Sequence, residues 1–139
     1  MRKNVVWLLC VLLLPACASL GANYTSTDFT VTTDLDPNYA KLILKIATDF
    51  SNTIRRDYSF GYSYRPICIY YSKTQADTQE LLGDSGYTIK AEYGCFIPEV
   101  PAIYTHQFMD NGQLCGWDAL FQGICQNIIS DYMNNSFPW

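Results

Sequence analysis

Few side chains in this sequence can do chemistry, and their spacing narrows what that chemistry is. The chain has one histidine, His106, and six cysteines; acidic residues outnumber basic ones for a formal charge of −4 at pH 7. A single imidazole works as a general base only if the fold brings a serine, cysteine or carboxylate to it. No serine lies in a G-x-S-x-G turn, and there is no glycine-rich phosphate loop. Cys95 and Cys115 are the cysteines nearest His106 in sequence. Glu92, Glu99 and Asp110 are the carboxylates a glycosidase-like pair would draw on. A lone histidine at a strand end is more often structural, so a hydrolase built around His106 and these carboxylates is the alternative reading.

The N-terminus looks like an address. Arg2 and Lys3 precede an apolar run from Val5 to Leu14, shorter than the roughly 20 residues a membrane span needs. The small residues after that run fit two processing routes. Ala16 to Ala18 (ACA) is an A-x-A site, whereas Leu14 to Cys17 (LPAC) matches a lipobox, in which Cys17 takes lipid. The second route predicts a signal segment over residues 1–17, a tether over 18–28 and one domain over 29–139. It anchors the protein to a bacterial envelope without spanning the membrane; the first leaves it secreted. Export also alters the cysteine reading. Cys68, Cys95, Cys115 and Cys125 remain, an even number, which predicts two disulfides with three possible connectivities. No C-x-x-C spacing favours zinc among them.

Composition excludes some partners. Without Arg2 and Lys3 the nine basic residues fall to seven, against thirteen acidic ones, and Arg55-Arg56 is the one adjacent basic pair left. Such a chain does not neutralise a phosphate backbone, so nucleic acid is not an expected partner. Tyrosine is abundant, with 11 residues, several in "RRDYSFGYSYRP". Tyrosines of this kind either cover a small core or contact sugars and peptides.

The elements that must position these groups are legible in the periodicity. Phe29–Thr33 alternates as a strand. Asp36 and Pro37 make a good helix start. From there Tyr39, Leu42, Ile43, Ile46, Phe50 and Ile54 mark one face of a long helix to Asp57. Ile67–Ser72 reads as a buried strand, and "KTQADTQELLG" as a short helix closed by Gly83. Residues 87–92 and 102–108 read as strands, the latter as an exposed edge able to take up an extended peptide. Asp110 to Gly112 (DNG) is a turn signal. A last helix is predicted from Asp118 as N-cap to about Met133. The order β-α-β-α-β-β-α defines an α+β domain with a mixed, mainly antiparallel sheet.

That last helix contains "QGICQ", Gln122 to Gln126, inside an apolar pattern. With "DLDPNYAKLILKIATDF", "PICIYYSKTQADTQELLG" and "GYTIKAEYGCFIPEVPAIYTH" before it, the order resembles the front half of gluzincin-type zinc metallopeptidase domains, the peptidase MA-like group. The resemblance covers Phe29 to Trp139 and rests on element order and sequence texture. It implies that the last helix should carry H-E-x-x-H, two histidine ligands at i and i+4 with a glutamate as general base. A W-x-x-E-G segment further on would supply the third ligand.

This sequence departs from that pattern at every chemical position. Gln122 and Gln126 stand where the histidines would be, and Gly123 where the glutamate would be; the sequence ends at Trp139, before the third ligand. Neutral amides hold zinc poorly, and glycine has no group to move a proton. The resemblance therefore implies a degenerate metallopeptidase with no catalytic residue, metal or cofactor. Its expected role is binding a peptide, a glycan or an envelope protein. The plainer reading is that the glutamines sit on a polar boundary and that Gly123 allows a close approach, at about 1 kcal/mol relative to alanine.

Overall fold

The computed structural model describes residues 23–61, 65–110, 113–115 and 117–136. The expected targeting segment, Cys17 and residues 18–22 of the tether lie outside these residues. Asn23–Thr25, within the expected tether, instead forms strand β1, antiparallel to β2 (Phe29–Thr33). The side chain of Asn23 accepts a 2.7 Å hydrogen bond from the Thr32 hydroxyl and ties this strand down.

Helix α1 runs from Pro37 to Asp57. It begins as expected: the Asp36 carboxylate accepts the Asn38 N–H at 2.8 Å, and Pro37 fills the first turn. Its buried face is rotated from the expected one. Ala40, Ile43, Ala47, Ser51 and Arg55 face inward, while Leu42 is 43% exposed. Small residues let the helix axis approach the sheet. The larger Tyr39, Phe50 and Ile54 take the flanks of the same core.

Strand β3 (Ile67–Ser72) lies parallel to β2. Helix α2 (Gln75–Asp84) opens with a capping box, the Thr74 hydroxyl accepting the Asp77 N–H and the Asp77 carboxylate accepting the Thr74 N–H, both at 3.1 Å. Gly83 lies inside this helix rather than ending it. The turn comes at Gly86, whose φ of 86° suits glycine.

Residues 87–92 are not the expected strand. The Gln79 side chain of α2 takes the place of a neighbouring strand. Its amide nitrogen donates to the Ile89 carbonyl at 2.7 Å, and its oxygen accepts the Ala91 N–H at 3.2 Å. The strand β4 starts only at Gly94 and ends at Ile97. Ala102–His106 forms β5, parallel to β3 and antiparallel to β4. The expected strand to Phe108 breaks at Gln107, whose N–H donates to the Ser72 carbonyl at 3.1 Å. Phe108–Asp110 (β6) and Gln113–Cys115 (β7) then pair as a separate ribbon, while the expected turn residues 111 and 112 lie outside the described ones. Helix α3, Trp117–Ser136, starts one residue before Asp118, which sits in its first turn.

The domain is α+β, with a mixed five-stranded sheet in the order β1-β2-β3-β5-β4. Its centre, β2-β3-β5, is parallel; its outer pairs are antiparallel. Strand alternation splits the core. On one face Phe29, Val31, Ile69, Tyr71 and Ile103 meet Ile43 and Ala47 of α1 and Leu120, Ile124 and Ile128 of α3. On the other, Ala102, Tyr104 and Ile97 meet Leu82 of α2 and Ala91.

One expectation is reversed. Ala102–His106 is not an exposed edge; it is buried throughout and bonded to a strand on each side. Its alternate side chains serve both cores, so both faces are covered, the pattern of an interior strand. The outer strands of this sheet are β1 and β4.

Candidate functional site

Helix α3 approaches the sheet at two glycines, Gly94 of β4 and Gly123 of α3. A Cβ on Gly94 would stand 2.7 Å from the Tyr104 carbonyl oxygen and 2.8 Å from Cβ of Ala119, and its φ of 134° already excludes most side chains. One turn further along α3, a Cβ on Gly123 would stand 2.7 Å from Cγ1 and 2.8 Å from Cδ1 of Ile103. The helix therefore lies close against β5 and the start of β4. The Gly123 position, where the family pattern has its base, points into the sheet and is closed by Ile103.

Gln122 and Gln126 are exposed. At about 100° per residue they fall beside Ala119 and away from Trp117 and Phe121. Trp117 and Phe121 face α1: Trp117 stacks on Tyr39 with centroids 6.2 Å apart, and Phe121 meets Phe50 at 4.4 Å. Gln126 leans toward the Ala119 side of α3, whereas Gln122 projects to solvent almost opposite the Leu120–Ile124 face. Strand β4 is an outer strand of the sheet. It can hydrogen-bond an extended chain, whose own groups are amides too.

His106 lies elsewhere. It closes β5 opposite Ser72, only 4% exposed, on the face that α2 covers. Burial lowers its pKa below the usual histidine value, so the ring is neutral at pH 7. Cys95 occupies the neighbouring strand on that face, diagonal to His106 by register. Burial pushes its thiol pKa up. A cysteine nucleophile needs the opposite shifts, a thiolate stabilised by a charged imidazole.

Cys68, Cys95 and Cys125 are free thiols, and the side chain of Cys115 lies outside the described residues. Among the described residues, then, no disulfide is present. Cys68 and Cys95 are separated by β5, and Cys125 belongs to α3 on the opposite face. Burial raises the Cys125 pKa as well.

Glu92 and Glu99 are exposed at opposite ends of β4. The strand between them spans about 10 Å, well beyond the roughly 5 Å of a retaining glycosidase pair. The side chain of Asp110 lies outside the described residues. Among the described residues no three His, Cys, Asp or Glu side chains gather as a metal-binding group.

Apolar periodicity alone misses a second polar feature. Arg55, 6% exposed, donates through Nη1 to the Gly61 carbonyl, and its Nη2 lies 3.9 Å from Oδ2 of Asp131 on α3. Asp131 also accepts the Asn127 side-chain amide at 3.3 Å. The signal is present in the sequence: Ala40, Ile43, Ala47, Ser51 and Arg55 recur at helical spacing once small residues count as core-facing.

No family model, curated protein or solved structure matches this chain.

Proposed function

We propose that this is an exported, lipid-anchored, non-catalytic domain with a metallopeptidase-like half-fold, and that it binds an extended peptide along the outer strand β4. The element order carries the likeness, and the position that should hold a catalytic glutamate is the observation that carries the loss of catalysis. Gly123 is packed on Ile103 so closely that an added side chain would force Ile103 to shift. The flanking amides Gln122 and Gln126 keep hydrogen-bonding capacity without metal-binding strength.

The partner is an extended segment carrying basic residues. Glu92 and Glu99 stand at the two ends of β4, and the chain is acidic as a whole. Lys90 is the nearest opposing charge in sequence.

Hydrogen exchange tests the reading. A peptide selected from a random library should slow exchange at the amides of Gly94 to Ile97. N-methylation of alternate peptide amides should abolish binding, because strand addition depends on main-chain bonds. Binding that survives N-methylation, or protection confined to another part of the sheet, would overturn it. Lipid on Cys17 is tested by mass spectrometry of the membrane-extracted protein.

A further inference from the structure

Strand β1 shortens the link between Cys17 and the folded domain. A tether over residues 18–28 would reach about 40 Å when extended, at about 3.4 Å per residue. Because Asn23–Thr25 belongs to the sheet, residues 18–22 alone bridge from Cys17, with a reach of about 20 Å.

The strand is fixed at both ends. The Ser26 N–H donates to the Phe29 carbonyl at 2.8 Å, and the Phe29 N–H donates to the Ser26 hydroxyl at 3.2 Å, which closes the turn into β2. At the other end Asn23 lies opposite Thr32 and accepts its hydroxyl. Tyr24 packs on the core that α1 and α3 cover. The chain therefore enters the domain at a set corner, the outer edge of the sheet beside Thr32. The opposite edge is β4, four strand spacings of about 4.8 Å away, or about 19 Å.

We propose that the domain stands on the bilayer by its β1 edge, with β4 turned to the aqueous side and held within about 40 Å of the membrane. The placement rests on the lipid proposed for Cys17. Its physical basis is chain length. An inverted domain would carry Asn23 about 20 Å above the bilayer, which pulls residues 18–22 straight and removes their backbone freedom. A domain lying flat would press a chain of net charge −4 against anionic headgroups. With β1 down the tether stays slack and the least surface meets lipid. The partner of β4 thus offers its extended segment from water, close to the anchoring membrane.

Nuclear magnetic resonance of the full-length lipidated protein, on nanodiscs that carry a gadolinium chelate on a lipid headgroup, tests this. The amide signals of Asn23–Thr25 should be lost to broadening. The effect should weaken across β2, β3 and β5, and Gly94–Ile97 should keep their signals. Gly-Ser repeats inserted after Ala22 should flatten the gradient, because a long flexible tether no longer sets which edge is nearer. Strongest broadening at Gly94–Ile97, or a gradient that the longer tether leaves unchanged, would overturn the proposal. The mass of the same sample reports lipid on Cys17 separately. A chain without that lipid fails the anchor and the placement together; a chain that carries it and shows no gradient fails the placement alone.

Discussion

Gly123 of α3 rests on Ile103 of β5 so closely that an added methyl would stand 2.7 Å from Cγ1. This contact sets the height of α3 over the sheet and leaves Gln122 and Gln126 on its outer flank. It also ties the proposed reading to packing, since Gly123, which lacks a side chain for chemistry, is the residue that lets the helix dock.

Gly123→Ala should destabilise the domain. Overpacking costs about 1–3 kcal/mol, while alanine returns about 1 kcal/mol of helix propensity, so a net loss of about 1 kcal/mol is expected in urea unfolding. Combining it with Ile103→Ala should cost less than the sum of the two single changes, because each relieves the other.

Arg55→Met should cost about 1–3 kcal/mol, because it leaves the Gly61 carbonyl and Asp131 without their cation. Asp131→Asn should cost less, since Arg55 keeps its carbonyl partner. Urea midpoints of the two variants give the comparison.

Stability should depend on pH through His106. Its folded pKa lies below the ordinary 6.5, so the unfolded chain binds the proton more readily. The contribution is fully present above pH 6.5 and is lost as pH falls through the lower folded value. A His106→Gln variant should show a flatter stability profile between pH 7 and 5 than the parent.

Cys68, Cys95 and Cys125 should each be alkylated by iodoacetamide after unfolding without reductant, as free thiols. In the folded protein Cys95 and Cys125 should react more slowly than an exposed thiol, because burial raises both pKa values. Peptide mass mapping of labelled protein reads both.

The long helix, the strands Phe29–Thr33 and Ile67–Ser72 and the fold class are legible in the sequence, because the helix start at Asp36 and Pro37 and the alternation in Phe29–Thr33 are local signals; the strand Asn23–Thr25 is not, since only its pairing with β2 defines it. The sequence misleads where partners are distant. Residues 87–92 alternate like a strand, yet Gln79 of α2 satisfies their backbone. Ala102–His106 suggests an edge by its place in the chain, although its two-sided burial makes it an interior strand. Arg55 resembles a solvated charge because its partners, Gly61 and Asp131, are set by tertiary packing. The glutamine pair and Gly123 are visible as a pattern; that Ile103 closes the middle position is not.

The most direct test of the central claim is to incubate the purified protein with excess zinc and a random peptide library, then read the peptides by mass spectrometry. The account predicts that bound peptides are recovered intact. Cleaved peptides, appearing with one zinc held per chain and disappearing on chelation, would contradict it.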